Sequence, residues 1–215
     1  MMSVSEIHHP LFARLYDRMS VGLEAKGAAE HREELLGDLS GRVIEVGAGT
    51  GLNFAHYPAS VSEVVAVEPE AYLRERAERA ARDAKVPVRV VPGTAEELPV
   101  EDGSFDAAVA SLVLCSVRDQ HPALAELYRV LTPGGQLRFY EHVRSQRRGF
   151  ARFQRVVDVG WPCFGGGCHT SRATDRNIEE AGFVIERCRR FEFRPCLLTW
   201  PVAPHVIGLA RRPGP

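Results

Sequence analysis

The 215-residue chain is 45% hydrophobic and 26% charged, which suits one globular domain long enough to bury a core. Its 27 Lys plus Arg nearly balance 28 Asp plus Glu, a formal charge of −1, so it lacks the basic footprint of a nucleic-acid binder and no nucleic-acid partner is expected. No run approaches the roughly 20 apolar residues of a membrane span, and "MMSVSEIHHPLF" has neither the charged start nor the apolar core of a signal peptide, so the expectation is a cytoplasmic protein without a transmembrane segment.

Residues 1–41 carry helical periodicity, with Leu11, Leu15 and Met19 at i, i+4 and i+8 and then Leu35, Leu36 and Leu39. Charged residues including Glu30, Arg32, Glu33 and Glu34 fill the opposite face, which predicts two short helices ahead of the core. From Arg42 the rhythm changes. "RVIEV" is a short apolar strand, and after a glycine turn "LNFAHY" can begin a helix. "EVVAVEP" (63–69) is a second strand, and "EAYLRERAERAARDAK" a strongly helical stretch closed by Pro87. "VRVVPG" (88–93) and "FDAAVAS" (105–111) are the third and fourth strands, followed by a helix in "PALAELYRVL" (122–131). "TPGG" turns the chain into a fifth strand, "QLRFYEHV" (136–143). Strands alternating with helices mean a parallel sheet covered on both faces.

Beyond Val143 the pattern loosens into one helix, a Gly- and Cys-rich loop, and a second helix from about Ala173 to Ala181. "FVIERCRRFEF" and "PHVIGLARR" read as two last strands, close enough in sequence for an antiparallel pair. With no repeats and no linker, the chain is one α/β domain: an N-terminal helical segment over 1–41, a main domain over 42–215, and an irregular insertion at about 144–175. The five cysteines are Cys115, Cys163, Cys168, Cys188 and Cys196, an odd and scattered set that argues against a disulfide framework. Cys163, Cys168 and His169 lack the tight spacing and matching second pair of a zinc knuckle, so reduced thiols and no metal are expected.

The stretch "RVIEVGAGTGLNF" poses the functional question. Glycine reaches positive φ without steric cost, so Gly47, Gly49 and Gly51 allow a ligand to approach the backbone. A phosphate-binding loop needs Gly-Lys-Ser/Thr, whereas Leu52 and Asn53 follow Gly51, so that class is excluded. A dinucleotide fingerprint needs the spacing GxGxxG, and here the glycines alternate. Glu45 stands on the strand leading into the turn; a carboxylate there repels a pyrophosphate and favours a cationic ligand such as S-adenosylmethionine (SAM). Glu68 closes the second strand, where an acid accepts bonds from both ribose hydroxyls. By itself Glu68 does not separate a dinucleotide from SAM.

"EVGAGTG", the strand-end Glu68, "GTAEELPVEDGSFDAAVAS" and "ELYRVLTPGGQL", in this order over about residues 42–143, together resemble the motif series of class I SAM-dependent methyltransferases. The resemblance implies a Rossmann-like fold: a seven-stranded, mostly parallel sheet with an antiparallel last strand and helices on both faces. "LVLCSV", "YEHV", "GGGCHTSRAT" and "WPVAPHVIGLA" further resemble the branch containing the mammalian alkyl-thiol S-methyltransferases. The implied reaction moves a methyl group from SAM to a small, apolar acceptor, leaving S-adenosylhomocysteine; a thiol is the first choice, and the alternatives are an amine or phospholipid head group, or a SAM-binding domain without turnover.

Carried onto this chain, the resemblance puts the methionine end of SAM against Glu45, Gly47, Ala48 and Gly49, with Asn53 nearby. Glu68 takes the ribose with Pro69 beside it, and Thr94, Ala95 and Glu96 frame the adenine, Thr94 standing where many family members have Asp. Ser111 and Leu112 lie below the sulfonium, and Tyr16 lids the cofactor or belongs to the core. Glu141 and His142, at the carboxyl end of the fifth strand, are the candidates for acceptor chemistry; alternation sends them to opposite faces, and His142 is the easier general base. His169 and His205 are further, structural-leaning candidates, and Cys115 is read as a small hydrophobe. Phe150, Phe153, Trp161 and Phe164 either line an acceptor pocket or, for the first two, pack as a helix face.

Overall fold

A computed structural model describes residues 13–14, 17–18, 22 and 24–214; Tyr16 lies outside the described residues. Its centre is a seven-stranded sheet built from β1 (Gly41–Val46), β2 (Val61–Val67), β3 (Val88–Val91), β4 (Phe105–Ser111), β5 (Leu131–His142), β6 (Val184–Glu192) and β7 (Pro204–Arg211). The spatial order is β3-β2-β1-β4-β5-β7-β6. β1 pairs in parallel with β2 and β4, β2 with β3, and β4 with β5, while β7 runs antiparallel to both β5 and β6. The expected topology, with its reversed last strand, is therefore the one formed.

The central strands read as unbroken apolar runs because both sheet faces are covered. On one face Ile44 and Val46 of β1 pack with Ala123, Leu124 and Leu127 of α3 (Gln120–Val130). On the other, Val43 meets Leu35 and Leu36 of α1 (Ala29–Leu36) and Ala77 of α2 (Ala71–Arg82). α2 forms from an Ala- and Arg-rich run, with the Glu70 carboxylate capping the Leu73 N–H at 2.9 Å and Arg79 and Arg82 in the last turn. α3 starts before the expected Pro122, because the Asp119 side chain caps the His121 N–H and a proline in the first turn removes no helical hydrogen bond.

Two local expectations are corrected. "LNFAHY" yields only a 3₁₀ turn, Phe54–His56, because Phe54 folds back on the glycine turn and Tyr57 is drawn into the core. A Cβ at Gly51 would lie 2.7 Å from the Phe54 ring, and Gly51 itself holds φ +83°. Arg32 does not belong to a solvated face: it is buried, and it bonds Glu24 Oε1 at 3.0 Å and Asn53 Oδ1 at 2.6 Å. After β5 come α4 (Arg148–Val157), a single turn α5 (Trp161–Phe164), α6 (Thr174–Glu180) and a 3₁₀ turn, Leu197–Val202. Among the described residues no helix is long and apolar enough to cross a membrane.

Candidate active site

The strand order turns back between β1 and β4, and ligands of open α/β sheets lie outside the carboxyl ends of the strands at such a point. There the ends of β1, β2, β4 and β5 open onto a cavity of about 1070 Å³. That is as large as the biggest ordinary small-molecule pockets, roughly 300–1,000 Å³, and leaves room for two reactants. Glu24, Glu68, Glu70, Glu96, Glu97 and Asp119 line it against Arg32 and Arg118, an acidic excess that suits a cationic ligand.

On one side stands the glycine turn. Gly47 and Gly49 hold φ of +63° and +58° and line the cavity. A Cβ at Gly47 would run into the Val113 side chain, so the close approach of the first and fourth strand ends needs glycine there. Glu68, at the end of β2, is buried and accepts the Gly49 N–H at 2.7 Å and the Glu70 N–H at 2.9 Å. Burial pushes its pKa up to about 7 against the lowering effect of those two amides. Pro69, Thr94, Ala95, Glu96, Ser111 and Leu112 continue the lining.

Glu45, Ala48 and Asn53 are not among the lining residues. The Glu45 carboxylate is buried and accepts from Asn53 Nδ2 at 2.8 Å and the Tyr57 hydroxyl at 2.7 Å; burial pushes its pKa up to about 7. The expectation that Glu45 meets a ligand's ammonium is thus corrected: it braces Asn53, which orients Arg32, and Arg32 is the side chain that reaches the cavity. Sequence reasoning missed Arg32 because its neighbours Glu30, Glu33 and Glu34 make it look like one more charge on a wet helix face.

The other side is built from segments far apart in the chain. Leu112 adopts φ +58°, a left-handed conformation rare for a residue with a branched side chain, and its N–H donates to Tyr140 O at 2.7 Å. The bend is held by Glu141, whose buried carboxylate accepts the N–H groups of Val113 (3.1 Å), Leu114 (2.9 Å) and Cys115 (3.0 Å). Burial drives the Glu141 carboxyl well above its ordinary range. Glu141 therefore faces away from the cavity as a loop brace, not toward an acceptor, while His142 lines the cavity. Alternation along β5 separates them as expected.

Around His142 Nδ1 two thiols converge: Cys115 Sγ at 3.4 Å and Cys168 Sγ at 3.3 Å. The Cys168 thiol beside it, with burial, holds the Cys115 thiol well above its ordinary range. The Cys168 loop is fastened from several directions. His169 N–H donates to Cys115 O at 2.7 Å, and Asp158 takes His169 Nδ1 at 3.1 Å and Ser171 Oγ at 3.0 Å. Arg172 donates to Leu114 O at 2.6 Å and Val117 O at 2.5 Å. Gly167 (φ +84°) is needed because a Cβ there would sit 2.8 Å from Ser116 O. His205 is buried, bonded to Ala203 O at 2.8 Å, and held neutral by burial. Trp161 and Phe164 line the cavity, whereas Phe150 and Phe153 pack on Trp200 with ring centroids 5.4 and 5.0 Å away, the helix-face alternative.

Comparisons with known proteins agree with this geometry. A profile of the methyltransferase domain family matches residues 44–139. A thiol S-methyltransferase of Rattus norvegicus is 37% identical over 175 residues, 78% of this chain and 69% of the relative. A demethylmenaquinone methyltransferase of Clavibacter sepedonicus is 36% identical over 121 residues, 54% of this chain and 49% of the relative. Among solved structures, a SAM-dependent methyltransferase of Thermotoga maritima superposes with a TM-score of 0.64 at 24% identity, covering 94% of this chain and 99% of the other. A geranyl diphosphate methyltransferase in complex with SAM gives 0.66 at 19% identity, covering 86% and 84%.

Proposed function

Because this chain belongs to the SAM-dependent methyltransferase family, we propose that it methylates a small apolar thiol, with the cofactor in the glycine-turn half of the cavity and the acceptor in the half around His142. SAM supplies a methyl group activated by its positive sulfonium. The chain's own part is to hold two molecules in line and to ease loss of the acceptor's proton.

The residues present fit that cofactor. Gly47 and Gly49, both at positive φ, present bare backbone to the cavity, and Arg32 lines the same cavity as the cation for an amino-acid carboxylate. We assign Glu68 to the ribose hydroxyls: each oxygen already accepts one amide and keeps a lone pair free. Thr94, Ala95 and Glu96 stand where an adenine edge would rest, and Ser111 and Leu112 form the floor between the two halves. The Leu112 bend, held by Glu141, turns this floor toward the cavity. Positioning of this kind supplies much of the acceleration of a bimolecular displacement.

One observation carries the acceptor assignment. Beyond Leu112 the lining gains the apolar side chains of Trp161, Phe164, Leu198 and Val202, and His142 stands among them with Cys115 and Cys168 against its Nδ1. An apolar thiol, with a pKa of about 8.5, needs only modest help to reach its nucleophilic thiolate form. We assign that help to His142. The name of the rat relative supports the same acceptor class.

The test is mass spectrometry of the purified protein incubated with SAM and a mixed panel of alkyl thiols, amines and phenols. S-methylated products are expected. Methylation of an amine or phenol alone would keep the family and overturn the acceptor.

A further inference from the structure

We propose that Cys115, His142 and Cys168 bind one Zn²⁺ ion whose fourth coordination position opens into the cavity and takes the acceptor's sulfur. The ion site stands on its own geometry; the last clause rests on the thiol reading above.

The three donor atoms lie within 4.8 Å of one another. The two sulfur-to-Nδ1 separations, 3.4 and 3.3 Å, are close to the edge of a zinc tetrahedron. Zn–S of about 2.3 Å and Zn–N of about 2.0–2.1 Å place that edge at about 3.6 Å. A neutral imidazole nitrogen has one lone pair, so only one of the two thiols can donate to Nδ1, and the other keeps only a long sulfur contact, Ser116 Oγ at 3.6 Å for Cys115 or His169 O at 4.0 Å for Cys168. A cation at the centre satisfies all three. Two thiolates, a neutral imidazole and Zn²⁺ sum to zero charge, which lowers the cost of burying them.

The donor set selects the metal class. Thiolate and imidazole suit Zn²⁺ and not Mg²⁺ or Ca²⁺, and two Cys plus one His with an open fourth place is the pattern of a catalytic zinc. The site is also held rigidly before any ion enters. Glu141 fixes the Cys115 amide, the His169 amide ties the Cys168 loop to Cys115 O, and Gly167 lets the two loops touch. Trp161 packs against the cluster of Cys115, Cys168 and Val202, and its indole N–H, beside Gly165, is buried without a hydrogen-bond partner.

The binding step balances without redox chemistry. The acceptor's S–H bond breaks, its proton passes to solvent water, and a sulfur lone pair forms the fourth bond to zinc. The ion stays Zn²⁺, and the sulfur keeps its other lone pairs for the methyl group. His142 thus eases proton loss as a ligand to the ion.

The experiment is elemental analysis of full-length protein reconstituted with zinc chloride and dialysed, alongside Cys115→Ser, Cys168→Ser, His142→Ala and, as a control, the exposed Cys163→Ser. Retention of roughly one zinc per chain by wild type and Cys163→Ser, with at least a tenfold loss in Cys115→Ser and Cys168→Ser, is expected. SAM binding, read separately, reports whether each variant is folded, and His142→Ala keeps the test open should a cysteine variant misfold. In Co²⁺-substituted protein a thiolate-to-cobalt charge-transfer band should appear and shift on adding an alkyl thiol without SAM. Wild type that holds less than about a tenth of an equivalent, or ligand variants that hold as much zinc as wild type, would overturn the site. Zinc bound by these ligands with neither a band shift nor a methylated thiol would sink the acceptor reading and leave the metal. Metal-stripped protein that methylates thiols at the full rate would sink the zinc's role and leave the acceptor.

Discussion

The two halves of the cavity are built in different ways. The glycine-turn half takes Gly47, Gly49, Glu68 and Thr94 from the ends of three adjacent strands, each within one strand–turn unit of the next. The His142 half joins the loop after β4, the end of β5 and the loop before α6, and its closest side-chain pairs are 26 and 27 residues apart. The first half needs only a local backbone shape. The second depends on buried polar braces that hold distant loops in register. A half made of local turns should lose ligand affinity when altered, and a half made of braces should lose stability or turnover.

The largest effect is expected at the brace. Glu141→Ala strands the buried N–H groups of Leu114 and Cys115, each worth about 1–3 kcal/mol when left unpaired, and the partly buried one of Val113, so unfolding free energy should fall by roughly 2 kcal/mol or more. Urea denaturation measures this, and a loss below about 1 kcal/mol would show that the Leu112–Cys115 bend does not rely on Glu141. His142→Ala comes next: turnover should drop about 100-fold while the SAM dissociation constant stays within about twofold. Equal losses in both would erase the division between the halves. Glu68→Ala is the mirror image, with SAM binding weakened by roughly 1–3 kcal/mol, the scale of lost bonds to a charged group. Calorimetric titration that finds unchanged affinity would remove Glu68 from the cofactor site.

The same contrast explains how much of the site is legible in the sequence. A glycine turn after an apolar strand and an acid at the next strand end are local patterns, so Gly47, Gly49, Glu68 and Pro69 can be placed on the cavity from spacing and strand ends. Even the fold's reversed strand is visible in the short gap between the last two apolar runs. Glu45 and Arg32 exchange their expected roles because both are decided by burial. A strand-end carboxylate is turned inward by Tyr57 and Asn53, and an arginine in a charged run is drawn to the cavity by the same Asn53. Cys115, His142 and Cys168 carry no spacing signature at all. Their meeting is a product of the sheet order and of the Asp158 and Arg172 contacts that fold one loop over another.

The smallest expected effect tests the cofactor half through pH. Burial raises the Glu68 pKa from 4.5 to about 7, so the native state binds a proton that the unfolded chain has released between those values. The stabilisation from a neutral Glu68 is complete below pH 4.5 and is lost as pH rises through about 7. Ribose hydroxyls that donate to Glu68 require the carboxylate, so cofactor binding expels the proton and runs in the opposite direction. SAM affinity should therefore rise about tenfold from pH 6 to pH 8 and level off above, while the ligand-free protein becomes less stable over the same interval. Glu45, also raised to about 7, adds to the stability trend but not to the affinity trend, because it does not line the cavity. Glu45→Gln should thus leave the pH dependence of SAM binding in place, and Glu68→Gln should flatten it. If Glu45→Gln flattened it instead, the inward carboxylate would be the one sensing the ligand.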